Sequence, residues 1–130
     1  MRLLDTNICI AYLNGSDEKI RIRLLEEEPG SYAVCSIVKV ELNFGARKSR
    51  NVDSNLQKVQ AFLLHFESYP FDDAAADQYG LIRSLLERGG NLIGANDLMI
   101  ASIALSKDVT LVSRDQREFL RVPGLRVETW

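Results

Sequence analysis

The sequence predicts an α/β fold, a central, mainly parallel sheet between two layers of helices, and three observations predict it. Short apolar segments alternate with longer stretches of helical periodicity along the whole chain. Acidic or hydroxyl residues follow directly on several of those apolar segments, where helices would begin. No Pro-, Gly- or Ser-rich stretch divides the 130 residues, and no repeat is visible, so residues 1–130 read as one domain with one core.

The elements follow in order. Arg2–Leu4 is a short strand ending at Asp5, and a helix starts at Thr6 or Asn7 and runs to Asn14. Gly15-Ser16 breaks it, and Asp17-Glu18 opens a charged helix that extends to about Glu28, where Pro29-Gly30 stops it. Tyr32–Cys35 is a strand, and Ser36 is placed as the N-cap of a helix through Ala46. Leu56, Val59, Leu63 and Phe66 recur at helical spacing, giving a helix over Val52–Phe66. A strand near Glu67–Phe71 precedes Asp72-Asp73, which begins a helix with Ala75, Tyr79, Ile82 and Leu86 as its apolar stripe. Gly89-Gly90 ends that helix. Asn96 or Asp97 opens the next one, to Ser106, and Val109–Val112 and Arg126–Glu128 are the last strands.

Composition excludes more than it suggests. The longest early apolar run, Ile8 to Leu13, is far too short to span a membrane, and Asp5 and Asn7 spoil a signal-peptide reading. Cys9 and Cys35 make neither a disulfide framework nor a zinc site, so a reducing, cytoplasmic setting is expected. The net charge of −2 does not announce a nucleic-acid binder. With four acids set aside as metal ligands, however, 14 acids face 16 Lys and Arg. An anionic substrate is then compatible with the acidic balance.

Those four acids are Asp5, Glu41, Asp97 and Asp115. Asp5 follows the first strand, where it could cap the next helix or face the crevice at the carboxyl ends of a parallel sheet. Glu41 lies four residues after Ile37 and so is expected on the inward face with Ile37, Val40 and Phe44. A charge there is costly unless paired or bound to metal, with a salt bridge to an arginine as the plain alternative. Asp97 heads the stripe Ile100, Ala101 and Ala104; a first-turn Asp also suits the helix dipole. Asp115 comes just beyond the strand Val109–Val112, as a turn residue or as a site residue. Four hard oxygen donors gathered at one sheet end would repel one another without a cation, and Mg²⁺ or Mn²⁺ suits such donors. His65 is the only histidine, so nucleophilic triads lack their base, and no phosphate-binding glycine loop is present. Hydrolysis of a phosphate ester by metal-activated water is the chemistry this donor set favours.

The ordered motifs resemble those of the PIN-domain ribonucleases. Leu3-Leu4-Asp5-Thr6-Asn7 is similar to their opening motif, and Ser36-Ile37-Val38-Lys39-Val40-Glu41-Leu42 to the second. Ile93-Gly94-Ala95-Asn96-Asp97-Leu98-Met99-Ile100-Ala101 resembles the third, and Leu111-Val112-Ser113-Arg114-Asp115 with Glu118-Phe119 the fourth. The closing Val122-Pro123-Gly124-Leu125-Arg126-Val127-Glu128-Thr129-Trp130 looks like the VapC-type toxins in particular. This resemblance implies an RNA-cleaving toxin using Mg²⁺ or Mn²⁺, with Asp5, Glu41, Asp97 and Asp115 as its acidic quartet. It also implies Thr6, Asn7 and Ser113 as residues orienting the carboxylates, homodimerisation, and a VapB-type antitoxin covering the site. Transfer RNA is the substrate class it suggests. Ser113-Arg114 departs from the family's more usual Thr followed by a small polar residue, which leaves Arg114 without an assigned role. Arg47, Lys48 and Arg50 could grip an RNA backbone or form a solvated helix end.

Two other classes fit less well. A bacterial receiver domain needs paired acids after its first strand, and this chain has one; a haloacid-type phosphatase needs a second aspartate that Asp5-Thr6-Asn7 lacks. A catalytically silent binding module on the same fold differs from the enzyme only in activity.

Overall fold

The computed structural model describes all 130 residues and contains five strands and seven helices. The strands are β1 (Arg2–Leu4), β2 (Tyr32–Cys35), β3 (Glu67–Tyr69), β4 (Thr110–Ser113) and β5 (Val127–Thr129). The helices are α1 (Thr6–Asn14), α2 (Glu18–Glu26), α3 (Ser36–Lys48), α4 (Val52–Leu63), α5 (Asp73–Arg88), α6 (Ala95–Lys107) and α7 (Gln116–Phe119). All neighbouring strands pair in parallel, in the order β3-β2-β1-β4-β5. The expected three-layer α/β/α architecture is therefore present, and the sheet is parallel throughout.

The strand order fixes where a site can form. From β1 the chain moves outward through β2 to β3, then returns to the other side of β1 as β4. Connections leave β1 and β4 in opposite senses, so a crevice opens at their carboxyl ends. Asp5 follows β1 and Ser113 ends β4 at that point, and the Asp5 N–H donates to the Val112 carbonyl at 2.9 Å. The core beneath is aliphatic: Leu3, Leu4, Val34, Leu111 and Val112 from the sheet are fully buried, with Ile8, Leu98, Ile100 and Ile103 from α1 and α6. A sheet covered on both faces has no need of period-two alternation, which is why β2 is buried at all four positions.

Several local expectations change. Ser36 is the first residue of α3, not its cap; Cys35 occupies the cap position and makes no side-chain capping bond. The buried stripe of α3 is Val38, Leu42 and Ala46, joined at the first turn by Ile37. Val40 and Phe44 are 59% and 63% exposed. At roughly 100° per residue they lie nearly opposite Leu42, while Glu41 stands about 100° from it, at the margin of the packed face. α4 stops at Leu63, and the chain turns through Leu64 and His65, so Phe66 lies beyond the helix although it packs with Phe62 at 4.9 Å between ring centroids. α6 starts at Ala95, capped by the Gly94 backbone, and α7 is a four-residue helix with no periodicity to announce it.

Candidate functional site

Asp5 caps α1 and also stands beside Ser113 at the end of β4, so its two readings are compatible. Its Oδ1 accepts the Thr6 N–H at 2.8 Å, which satisfies an orphan donor of α1, and its Oδ2 accepts the Ser113 hydroxyl at 2.8 Å. The residue is only 4% exposed. Burial raises its pKa; the bonds from Ser113 and Thr6 oppose that, and the charges of Glu41 and Asp115 add to the rise. Ser113, itself fully buried, also accepts the Asp115 N–H at 3.1 Å, so one hydroxyl ties the end of β4 to Asp5 and to the next loop.

Glu41 reaches the same place from α3. The Thr6 hydroxyl donates to its Oε1 at 2.9 Å, so consecutive residues of one motif hold two of the acids, 35 residues apart in the case of Thr6 and Glu41. Asp97 stands half-buried in the first turn of α6. Its pKa is pushed up to about 8, first by burial, then by the adjacent Glu118 carboxyl and by the charges of Asp5 and Glu41. Asp115 is exposed and caps α7, accepting the Arg117 N–H at 3.1 Å. Asn7 is exposed on α1. Arg114 lies 3.6 Å from Asp17, the cap of α2, and bridges the β4–α7 loop to that helix. Arg47, Lys48 and Arg50 are all exposed near the end of α3.

Glu118 is the acid that sequence reasoning passed over. It is three residues after Asp115 and therefore on the same side of α7, next to Asp97, and its Oε2 also accepts the Gly94 N–H, at the start of α6, at 3.4 Å. Its two signals are that spacing and its place in the Glu118-Phe119 pair of the fourth motif, and neither by itself assigns it to the site.

The acids are close enough to raise one another's pKa, but no three acidic, histidine or cysteine side chains converge tightly enough to form a finished metal cage. The donor set fits a hard divalent cation all the same: carboxylates and hydroxyls only, in excess of charge and partly withdrawn from water. Neither cysteine competes, because burial pushes both thiols up and keeps them protonated.

The family model described as the PIN domain matches residues 2–125 of this chain. The chain belongs to the PIN-domain family. Within it, this PIN domain is similar to "Ribonuclease VapC2" of Rickettsia felis, at 38% identity over 98% of this chain and 96% of that protein. It is 38% identical to the "tRNA(fMet)-specific endonuclease VapC" of Shigella flexneri, over 98% of this chain and 96% of that protein. Among solved structures, the DNA-bound VapBC of Salmonella typhimurium contains a chain that superposes with a TM-score of 0.93 at 38% identity, covering 99% of this chain and 97% of that one. The PIN-domain match covers every element that carries a candidate acid, from β1 through α7.

Proposed function

We propose that this chain is a metal-dependent endoribonuclease toxin of a toxin–antitoxin pair, hydrolysing RNA phosphodiester bonds at Asp5, Glu41, Asp97 and Asp115 with Mg²⁺ or Mn²⁺ as cofactor. One observation carries the reading: hydrogen bonds through Thr6 and Ser113 gather Asp5, Glu41 and the end of β4 at one point, where burial first, and the charges of neighbouring acids after it, push Asp5 and Asp97 toward their protonated forms. A structural role would not gather such charges, and a cation relieves the conflict. Relatives called ribonucleases, one of them specific for an initiator transfer RNA, support RNA as the substrate and transfer RNA as its class.

A divalent cation held by these carboxylates supplies a Lewis acid that lowers the pKa of water and neutralises charge building on the phosphate oxygens. The protein's own work is orientation. Asp5 is fixed from both sides by the Thr6 N–H and the Ser113 hydroxyl, which sets its remaining lone pairs before any substrate arrives. Glu41 commits Oε1 to Thr6 and keeps Oε2 for the site. Asp97, pushed toward its protonated form by burial and by the adjacent Glu118, would bind a cation as the carboxylate, so cation binding there would release a proton. Asp115, the most exposed of the four, closes the solvent side. In this scheme Asn7 contributes from the exposed edge of α1.

The partner is a VapB-type antitoxin, in keeping with the VapBC complexes among the structural neighbours. It would place a basic residue among the acids and lay apolar side chains along the first helices. There, Tyr12, Leu24, Leu25, Phe62 and Phe66 line a recess of about 220 Å³. Homodimerisation follows from the family alone. A cytoplasmic setting rests on the two free, buried thiols; no helix is long and apolar enough to cross a membrane.

The test is cleavage of labelled RNA by the purified chain with Mn²⁺, then with excess EDTA, beside Asp5→Asn purified identically. Cleavage that needs metal and vanishes in the variant supports the reading. Cleavage that survives in the variant removes Asp5 from the site, and absence of Mn²⁺ binding removes the metal. Mn²⁺ binding without cleavage of any RNA leaves a silent binding module.

A further inference from the structure

Glu41 also forms part of the lining of a second feature, a cleft of about 520 Å³ between α1, α3 and α4. One side is aliphatic, built by Ile10 and Leu13 of α1, Leu42 of α3 and Val59 of α4. Besides Glu41, the polar lining is two amides, a hydroxyl and a cation: Asn14, Asn55, Ser49 and Lys58. Asn55 donates through Nδ2 to Ser49 Oγ at 2.8 Å, which leaves Oδ1 as an acceptor facing outward. Asn14 is exposed, with donor and acceptor both available.

Gly45 is the telling residue. It lies inside α3, where glycine costs about 0.5–1 kcal/mol relative to alanine, and a Cβ built there would meet nothing within 4 Å. No close helix contact or positive φ requires glycine at this position. What its missing side chain does is leave the cleft open.

We propose that this cleft seats the nucleotide next to the scissile phosphate, and that Gly45 is a specificity-determining position. The inference rests on the ribonuclease reading above. With one phosphate at the acids, the neighbouring nucleotide of a single strand falls within reach of Glu41, and the cleft begins there. Its volume is in the range of small-ligand sites. An aliphatic wall receives the face of an unstacked base, Asn14 and Asn55 offer donors and acceptors to its edge, and Lys58 meets the next phosphate. Apart from Glu41 no acid lines the cleft, so an anionic chain meets no repulsion along it. An extended peptide finds no strand edge to bond here, since the walls are helices whose backbone groups are already paired; a helical segment would use the aliphatic wall alone and leave Asn14, Asn55 and Lys58 without partners.

The experiment is cleavage, in Mn²⁺, of a single-stranded RNA pool with randomised sequence, reading the cut ends by sequencing. Wild type shows a base preference at one position flanking the cut. In Gly45→Leu, the ratio of favoured to disfavoured base there falls by about tenfold or more, as expected when a side chain fills a pocket. Preference at the other flank is retained. Gly45→Ala, which strengthens the helix and adds one methyl group to open space, shifts the same ratio in the same direction by less. Asn55→Ala alters the same position. A general loss of folded protein would instead lower cleavage of every sequence together. An unchanged base profile in Gly45→Leu and Asn55→Ala overturns the proposal while the nuclease stands. An unchanged profile with weakened inhibition by the antitoxin assigns the cleft to a peptide and also overturns it. If wild type cuts neither the pool nor transfer RNA, the ribonuclease reading has fallen and takes this inference with it; cleavage of transfer RNA but of no member of the pool overturns the proposal alone.

Discussion

Asp97 stores the largest electrostatic conflict of the acidic cluster, and replacing it with asparagine should stabilise the metal-free protein while abolishing cleavage. Its pKa is raised to about 8 by burial, by Glu118 and by the neighbouring charges. An aspartate in the unfolded chain titrates near 3.9. Between those values the folded state binds more protons than the unfolded state, so stability falls as pH rises and levels off above about pH 8. From about pH 5.5 to about pH 8 the full effect would be about 3 kcal/mol, at about 1.4 kcal/mol for each pH unit. Asp97 is only half-buried, and screening by water and salt reduces this to about 1.5 kcal/mol. For a domain of this size that is a fall in Tm of about 5 °C. The assay is thermal unfolding in EDTA at about pH 5.5 and about pH 8.5 for wild type and Asp97→Asn. Wild type should lose those degrees over the interval, and the variant should lose few and be the more stable protein at high pH. Saturating Mn²⁺ should restore wild type most strongly at high pH, where the carboxyl has already released its proton. Equal pH dependence in the two proteins, or stabilisation by Mn²⁺ that weakens with rising pH, would refute the account of Asp97.

Three further outcomes are expected. Ser113→Ala removes the buried hydroxyl from Asp5 Oδ2 and should cost about 1–3 kcal/mol in a denaturant titration. The same variant should slow cleavage by about 10- to 100-fold, because a carboxylate loses its orienting bond. Thr6→Val keeps the volume and frees Glu41 Oε1; kcat should fall about tenfold while the unfolding free energy changes by no more than about 1.5 kcal/mol, and an unchanged kcat would show that Thr6 does not orient Glu41. Leu25, 68% exposed on α2 beside the aromatic recess, should be dispensable for cleavage; Leu25→Asp should weaken antitoxin binding by about tenfold or more in a calorimetric titration, and undiminished affinity would move the partner off this face.

How legible each feature was depended on how local its cause is. α1 and its Asp5 cap could be read because a capping residue and the helix it starts are adjacent in sequence. The bond from Ser113 to Asp5 spans 108 residues and is created by β4 returning to pair with β1, which no window of sequence contains. Of the two arguments for Glu41, the motif resemblance and the inward helix face, the structure does not support the second. Glu41 was assigned to an inward face with Val40 and Phe44, yet those two point outward. What brings Glu41 inward is the packing of α1 on α3, which sets the Thr6 hydroxyl against it. Two apolar residues at helical spacing define a stripe but not the side of the helix it occupies; the alternative stripe of Val38, Leu42 and Ala46 was equally regular and is the one buried. Glu118 stayed hidden because α7 has only four residues, too few for any period to show.

Two of the acids solve the same problem differently, and the difference explains how such a site persists in a stable fold. Asp5 is more deeply buried, but two donors face its oxygens, and one of those bonds begins a helix that the fold needs anyway. Removing Asp5 would therefore damage α1 as well as the site, so selection for folding and for chemistry act on it together. Asp97 has no comparable donor. Its nearest partner is another acid, and the helix that it begins is capped by the Gly94 backbone without it. A first-turn carboxylate suits the α6 dipole, but here that gain is set against burial and the repulsion from Asp5, Glu41 and Glu118, which an uncharged side chain would avoid. A residue that folding would replace at no net loss, held where its charge is most opposed, is placed for a function that needs the charge. Asp97 is for that reason the stronger argument for a cation-binding site, although Asp5 is the better-ordered residue.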